Sequence, residues 1–331
     1  MTNDSASRRT ASLDSAARRA FGGLLPLLDD PLLRDLLVQV QGGQGRLWLD
    51  RGVGLESVDR WSVGQAAVRR LAVDLIAAGG RHLDELNPCA DVRLGDGIRV
   101  HAVIPPVAVA GAAVSIRLPG ITVPRLVDLV RAGLCDAAME RWLRSAVALR
   151  RNLVITGGTG SGKTTLLAAL LDLADPLERI LTIEDVAELR LRHPHVVSLE
   201  ARQASAEGVG EVTLERLLTE ALRMRPDRIV LGECRGAEVV TLLAALNTGH
   251  NGGAGTLHAS ELADVPARLE ALGALAGLDA PALARQAVSA LHGIVHVERA
   301  VSGARRHRIV GIGRLALTRH GTLALETVEP Q

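Results

Sequence analysis

Residues 152–165 read Asn-Leu-Val-Ile-Thr-Gly-Gly-Thr-Gly-Ser-Gly-Lys-Thr-Thr, and no other stretch limits the possible folds of this chain as tightly. The pattern G-x-x-x-x-G-K-[ST] runs from Gly157 to Thr164, after an apolar run and before a helical pattern. Glycines at 157, 158, 160 and 162 let the backbone turn sharply and approach an anion with no Cβ in the way. Backbone N–H groups at the start of the following helix then point at phosphate oxygens. Lys163 is expected to reach a β- or γ-phosphate and Thr164 to offer its hydroxyl to Mg²⁺. Gly157, Gly158, Thr159, Gly160, Ser161, Gly162, Lys163, Thr164 and Thr165 together form the expected cradle for ATP.

Such a loop needs a parallel sheet, and the pattern around it supplies one. Strand readings at Asn152–Thr156, Ile180–Glu184, Val196–Leu199 and Ile229–Leu231 alternate with helix readings at Gly162–Leu173, Leu214–Met224 and Glu238–Asn247. Further helices are expected at Pro124–Ala132, Asp136–Leu149, Asp264–Leu275 and Pro281–Leu291, with edge strands in Ile294–Val328. Upstream, Leu24–Val40 shows apolar residues at helical spacing, ended by Gly42, Gly43 and Gly45. Arg46–Asp50 alternates like a strand, Ser62–Ala78 reads as an amphipathic helix, and Asp91–Leu94, Ile98–Ile104 and Ala112–Leu118 read as strands. The expected organisation is a loose polar tail (1–20), a small α/β domain (21–118) and a P-loop α/β core (119–331).

Composition narrows the partners. Lys and Arg total 38 against 37 Asp and Glu, so no global charge pulls the chain toward nucleic acid. Phe21, Trp48, Trp61 and Trp142 are the only aromatics, too few for stacking on single-stranded bases. Cys89, Cys135 and Cys234 are scattered and form no CxxC pair, which argues against a disulfide framework and against zinc. The start lacks the apolar core of a secretory signal, and no apolar stretch is long enough to span a bilayer. A soluble protein of a reducing compartment is expected.

Hydrolysis needs acids near the γ-phosphate and cations to stabilise developing charge. Arg228–Glu233 is an apolar run ending in an acid, with Gly232 where a second acid is common, so Glu233 is the candidate for both Mg²⁺ and the attacking water. Leu181–Asp185 ends in Glu184 and Asp185, which at the C-terminal edge of a parallel sheet would face the nucleotide crevice. Thr248-Gly-His250 and Thr256-Leu-His258 flank a glycine-rich segment and read as a polar loop beside the γ-phosphate.

Four segments resemble, in order and spacing, the type II/type IV secretion ATPase superfamily: GGTGSGKTT (157–165), TIED (182–185), LRMRPDRIVLGECRGAE (222–238) and NTGHNGGAGTLHA (247–259). DGIRVHAVIPPV (96–107) and VSIRLPG (114–120) look like its Tad/Flp pilus assembly branch. The resemblance implies a RecA-like core, ATP and Mg²⁺, a homohexamer in the cytoplasm, and docking on an inner-membrane platform protein. It implies that Glu184 helps orient water, that Glu233 is the principal catalytic acid, and that His258 senses the γ-phosphate. It also implies that Arg99 and Arg117 close over the nucleotide, and that Arg223, Arg225 and Arg235 contact phosphate or a neighbouring subunit. The four-cysteine zinc segment of some members and the phenylalanines near the domain junction are missing, and nothing beyond residue 315 is interpretable. A DNA-transfer or nucleic-acid translocase ATPase is the alternative; a nucleotide-gated scaffold is disfavoured by the intact Lys163, Thr164, Glu184 and Glu233 set.

Overall fold

The computed structural model describes residues 9–52, 54–120, 123–202, 210–299 and 307–330. The chain forms two compact units, Met1–Thr122 and Val123–Gln331.

The first unit contains α1 (Ser15–Phe21), β1 (Asp35–Gln41), β2 (Gln44–Asp50), β3 (Leu55–Gly64), α2 (Gln65–Ala78), β4 (Cys89–Leu94), β5 (Ile98–Val103) and β6 (Ala113–Arg117). Its sheet runs β3-β2-β1-β6-β5-β4, and every strand pair is antiparallel. Alternate residues such as Leu36, Val38, Val100, Ala102, Val114 and Ile116 are buried beneath Val68, Ala72, Leu75 and Ile76 of α2.

Two expectations fail in this unit. The Leu24–Val40 stretch is not one helix. It is a 3-10 segment at Gly22–Asp29 followed by β1, in which Leu36, Val38 and Val40 are buried at period two. Gly42 and Gly43 both have positive φ, +58° and +75°, and join β1 to β2 as a two-residue hairpin turn. They reverse a strand rather than break a helix. Residues 1–8 of the expected tail lie outside the described residues, but residues 9–20 are ordered elements. A 3-10 turn covers Arg9–Ser12, and Asp14 caps α1 through Ala17 N. The Arg9 guanidinium donates to the carbonyls of Leu28, Asp30, Leu33 and Pro119 at 2.7–3.0 Å. Phe21 and Ala17, four residues apart on α1, are buried. An arginine buried among carbonyls is a tertiary arrangement that local polarity does not reveal.

The second unit contains α3 (Leu126–Arg131), α4 (Ala137–Ala148), β7 (Leu153–Gly157), α5 (Lys163–Leu171), β8 (Ile180–Glu184), β9 (Val196–Glu200), α6 (Leu214–Ala221), β10 (Arg228–Cys234), α7 (Glu238–Asn247), β11 (Ala254–His258), α8 (Val265–Leu275), α9 (Ala280–Ala290), β12 (Gly293–Arg299), β13 (His307–Leu317) and β14 (Leu323–Val328). The sheet order is β14-β13-β12-β7-β11-β10-β8-β9. It is parallel from β12 to β9, and β13 and β14 add antiparallel strands at one edge. Leu153, Ile155, Val230 and Val295 pack with α3–α5 on one face; Val154, Leu231, Leu257 and Ile294 pack with α6–α9 on the other. Burial on both faces explains the continuous apolar runs of β7, β8 and β10.

The segment expected as a glycine-rich loop, Asn251–Gly255, runs into the central strand β11, which begins at Ala254 and includes Gly255. Its weak strand signal has a steric cause: a Cβ at Gly255 would lie 3.2 Å from Leu231 O, and one at Gly253 would lie 2.3 Å from Leu246 Cδ2.

Candidate functional site

β7, β10 and β11 are adjacent and parallel, so their C-terminal ends, at Gly157, Cys234 and His258, share one edge of the sheet. The phosphate loop leaves β7 there and enters α5. Gly162 caps α5 with φ +96°, a left-handed conformation open to glycine at little cost. Lys163 is 7% exposed, and its Nζ donates to Gly157 O and Gly158 O, both at 2.9 Å. Burial holds its ammonium below the ordinary lysine value, against the opposing pull of Glu233. Gly158, Thr159 and Gly160 are exposed, with nothing within 4 Å of where a Cβ would sit on either glycine. Ser161 Oγ is buried with no hydrogen-bond partner among the described residues. Thr164 and Thr165 are half-buried on the first turn of α5. A buried lysine, an approachable glycine backbone, an unpartnered buried hydroxyl and a helix N-terminus fit the phosphates of a nucleotide, and the Thr164 hydroxyl fits a divalent cation beside them.

The acids converge on the same edge. Between Leu231 and Cys234, β10 carries one more residue than β11, because Val230 pairs with Ala254, Leu231 with Gly255 and Cys234 with Leu257. This bulge at Gly232-Glu233 is pinned by Thr256, whose Oγ1 donates to Gly232 O at 2.6 Å, and it re-aims Glu233. Glu233 Oε1 is 2.9 Å from His258 Nε2, and its Oε2 accepts from Arg235 Nη2 at 2.5 Å. Arg235 Nη1 also reaches Asp185 Oδ2 at 3.4 Å. Burial and the nearby Lys163 ammonium hold His258 below the ordinary imidazole value, while Glu233 pulls the other way.

Glu184 has different neighbours from those expected. Its carboxylate accepts from Glu188 N and Leu189 N at 3.0–3.3 Å and anchors the segment after β8. A Cβ on residue 232 would lie 2.5 Å from Glu184 Cγ, which is why glycine stands where a second acid is common. Burial pushes the Glu184 carboxyl up to about 7, from an ordinary 4.5. The folded state therefore holds this proton more tightly than the unfolded chain. The stability it contributes is fully present below pH ~4.5 and is lost as pH rises through ~7. Glu184→Gln keeps an acceptor oxygen and has no charge to desolvate. Its melting temperature is expected to match wild type at pH 5 and to exceed it by several degrees at pH 8, reflecting up to about 3 kcal/mol. Equal differences at both pH values in thermal melts would contradict this.

Other expected residues are dispersed. Thr248 and His250 lie just after α7, with His250 Nδ1 3.1 Å from Ala245 O, and the next residues, Gly252 and Gly253, donate to Asn152 Oδ1. They sit where β7 and β11 begin, at the sheet edge opposite His258, so the two halves of the expected polar loop are a whole strand apart. Arg223, paired with Glu220 at 3.5 Å, and Arg225 precede the start of β10 and belong to that opposite edge too. Of the three arginines expected to contact phosphate or a neighbouring subunit, Arg235 is the one beside Glu233. Arg99 and Arg117 face each other in register on β5 and β6 of the first unit. The sequence reading missed His296, which is fully buried on β12 with Nδ1 2.8 Å from Oγ1 of Thr156, the residue that precedes the phosphate loop. A strand reading of residues 293–299 would have placed His296 beside Thr156.

Comparison with known proteins bears on this geometry. Residues 44–320 match a family described as type II/IV secretion system protein. A putative conjugal transfer protein of Mycobacterium tuberculosis is 48% identical over 301 residues, covering 89% of this chain and 85% of that protein. Conjugal transfer protein TrbB of Rhizobium radiobacter is 33% identical over 290 residues, covering 86% of this chain and 85% of that one. The X-ray structure of the Legionella pneumophila ATPase DotB superposes with a TM-score of 0.60 at 21% identity, over 85% of this chain and 77% of that chain. The architecture is the expected one: a RecA-like α/β core preceded by a smaller α/β unit.

Proposed function

Because the chain belongs to the type II/IV secretion system protein family, we propose that it is an ATP-hydrolysing motor, coupling ATP turnover to pilus assembly or protein export. The observation that carries this reading is the meeting of buried Lys163 with Glu233 and His258 at the ends of three adjacent parallel strands. Backbone N–H groups of Gly158–Gly162 hold the phosphates, and Lys163 neutralises charge on the β- and γ-phosphates. Thr164 and Glu233 would hold Mg²⁺, which supplies charge neutralisation at the phosphoryl oxygens. Glu233 orients the attacking water and His258 fixes the Glu233 carboxylate at 2.9 Å. Glu184, committed to two backbone N–H groups, holds the neighbouring segment in place. Arg99 and Arg117 remain the first unit's candidates for charge supplied to the nucleotide on closure. The proposal includes a homohexamer docked on a membrane platform partner, as the family resemblance implies; among the described residues no helix is long and apolar enough to cross a membrane. The Tad/Flp assignment rests on residues 96–107 and 114–120 alone.

The names of the relatives favour a second reading, in which the motor acts on transferred DNA. Against direct DNA handling stand the near-neutral charge and the scarcity of aromatics. Phosphate release and sizing of the full chain, with and without single- and double-stranded DNA, test both. The motor reading expects turnover by a hexamer-sized species, unchanged by DNA. Stimulation by DNA whose half-saturating concentration rises steeply between 50 and 200 mM salt, by about 10³-fold or more, establishes the second reading instead.

A further inference from the structure

Both oxygens of Glu233 already have partners. Oε1 faces His258 and Oε2 is held by Arg235 at 2.5 Å, so the acid expected to meet Mg²⁺ and water is covered by a cation. The two ends of Arg235 are held differently. Its backbone N and that of Gly236 donate to Glu238 Oε1 at 2.7 and 2.8 Å, and Glu238 is buried at the head of α7. Its side chain is 60% exposed and forks between Glu233 and Asp185. Asp185 is half-exposed, one residue past Glu184, in the segment that Glu184 anchors. Exposed ion pairs stabilise little, so the choice of a guanidinium between two acids is easily tipped.

We propose that Arg235 is a movable plug over Glu233 and that Asp185 is the seat that receives it, so that Glu233 becomes available only when Mg²⁺ and a nucleotide's phosphates occupy the phosphate loop. The inference rests on the ATP reading above. With Mg²⁺ held at Glu233, the Arg235 guanidinium would leave that carboxylate and pair with Asp185, 3.4 Å from its Nη1. Arg235 and Asp185 are thus positioning residues that act through Glu233. The competing role, a direct contact from Arg235 to phosphate, has the opposite sign: removing a plug lowers the Mg²⁺ requirement, whereas removing a phosphate contact raises it or leaves it alone.

The test is equilibrium binding of a fluorescent ATP analogue to the full chain, titrated with Mg²⁺. Arg235→Gln is expected to lower the Mg²⁺ concentration at half-saturation about fivefold. Asp185→Asn, which removes the seat, is expected to raise it. The double variant is expected to match Arg235→Gln, because Asp185 acts only through Arg235. An unchanged or raised requirement in Arg235→Gln overturns the proposal, as does an effect of Asp185→Asn that persists when Arg235 is gone. Phosphate release from the same samples separates the two readings: the predicted binding pattern without turnover in any sample leaves the plug standing and removes hydrolysis. No analogue binding by wild type at any Mg²⁺ concentration removes both.

Discussion

Glu233→Gln is expected to slow steady-state phosphate release by about 100-fold or more while leaving ATP binding within a fewfold of wild type. The expectation follows from the bulge in β10. The extra residue turns Glu233 toward His258 and Arg235 at the sheet edge, where the phosphate loop leaves β7. Glutamine has nearly the same shape and can keep a hydrogen bond to either neighbour, so the pocket stays assembled. What it loses is the charge that orients and deprotonates water. A loss of binding equal to the loss of turnover would instead make Glu233 a structural anchor of the loop.

Gly157→Ala is expected to have the largest effect on the folded state. Gly157 has φ +148°, and a Cβ there would lie 2.1 Å from Val297 O and 2.6 Å from Ser161 Oγ. The first of these is backbone on the neighbouring strand β12, which pairs with β7 along Gly293–His296 and cannot swing aside as a side chain would. Overpacking against such a wall costs about 3 kcal/mol. A fall of roughly 6–12 °C in melting temperature is expected, together with loss of the stabilisation that Mg·ATP gives wild type. Gly158→Ala, with nothing within 4 Å, is the control and should melt close to wild type. Equal melting temperatures for the two variants would mean that the loop adapts and that the close approach to β12 is not a constraint.

The phosphate loop was legible because its chemistry is local: glycine spacing, a lysine and a strand–helix frame are all read within fourteen residues. The parallel core was legible because strands buried on both faces are continuously apolar. What escaped depends on partners distant in sequence. Gly253, just before β11, and Gly255, within it, are crowded by β10 and α7, and from sequence these glycines resemble a loop. Arg9 looks like part of a polar tail until its four carbonyl partners are assembled around it. His250 and His258 seem neighbours at eight residues' separation, yet a strand lies between them and puts them at opposite sheet edges.

The paired acids show the same limit at finer grain. Glu184 and Asp185 are adjacent, but they have different partners. Glu184 is buried against backbone N–H groups, whereas Asp185 reaches Arg235. Strand alternation alone separates two such residues, but not which of them meets the site. The Glu233–Arg235 contact does not follow from strand alternation, because the bulge at Gly232-Glu233 interrupts the alternation and Arg235 lies one residue past the end of β10. Its significance depends on Asp185, which follows the neighbouring strand β8.

The most direct measurement is phosphate release by the purified full chain with Mg·ATP, beside Glu233→Gln, with nucleotide binding measured in the same preparations. The account predicts Mg²⁺-dependent turnover by wild type and a variant that binds ATP yet releases phosphate about 100-fold more slowly or less. Wild type that binds ATP without releasing phosphate in any assembly state, or a variant that turns over at the wild-type rate, would contradict it.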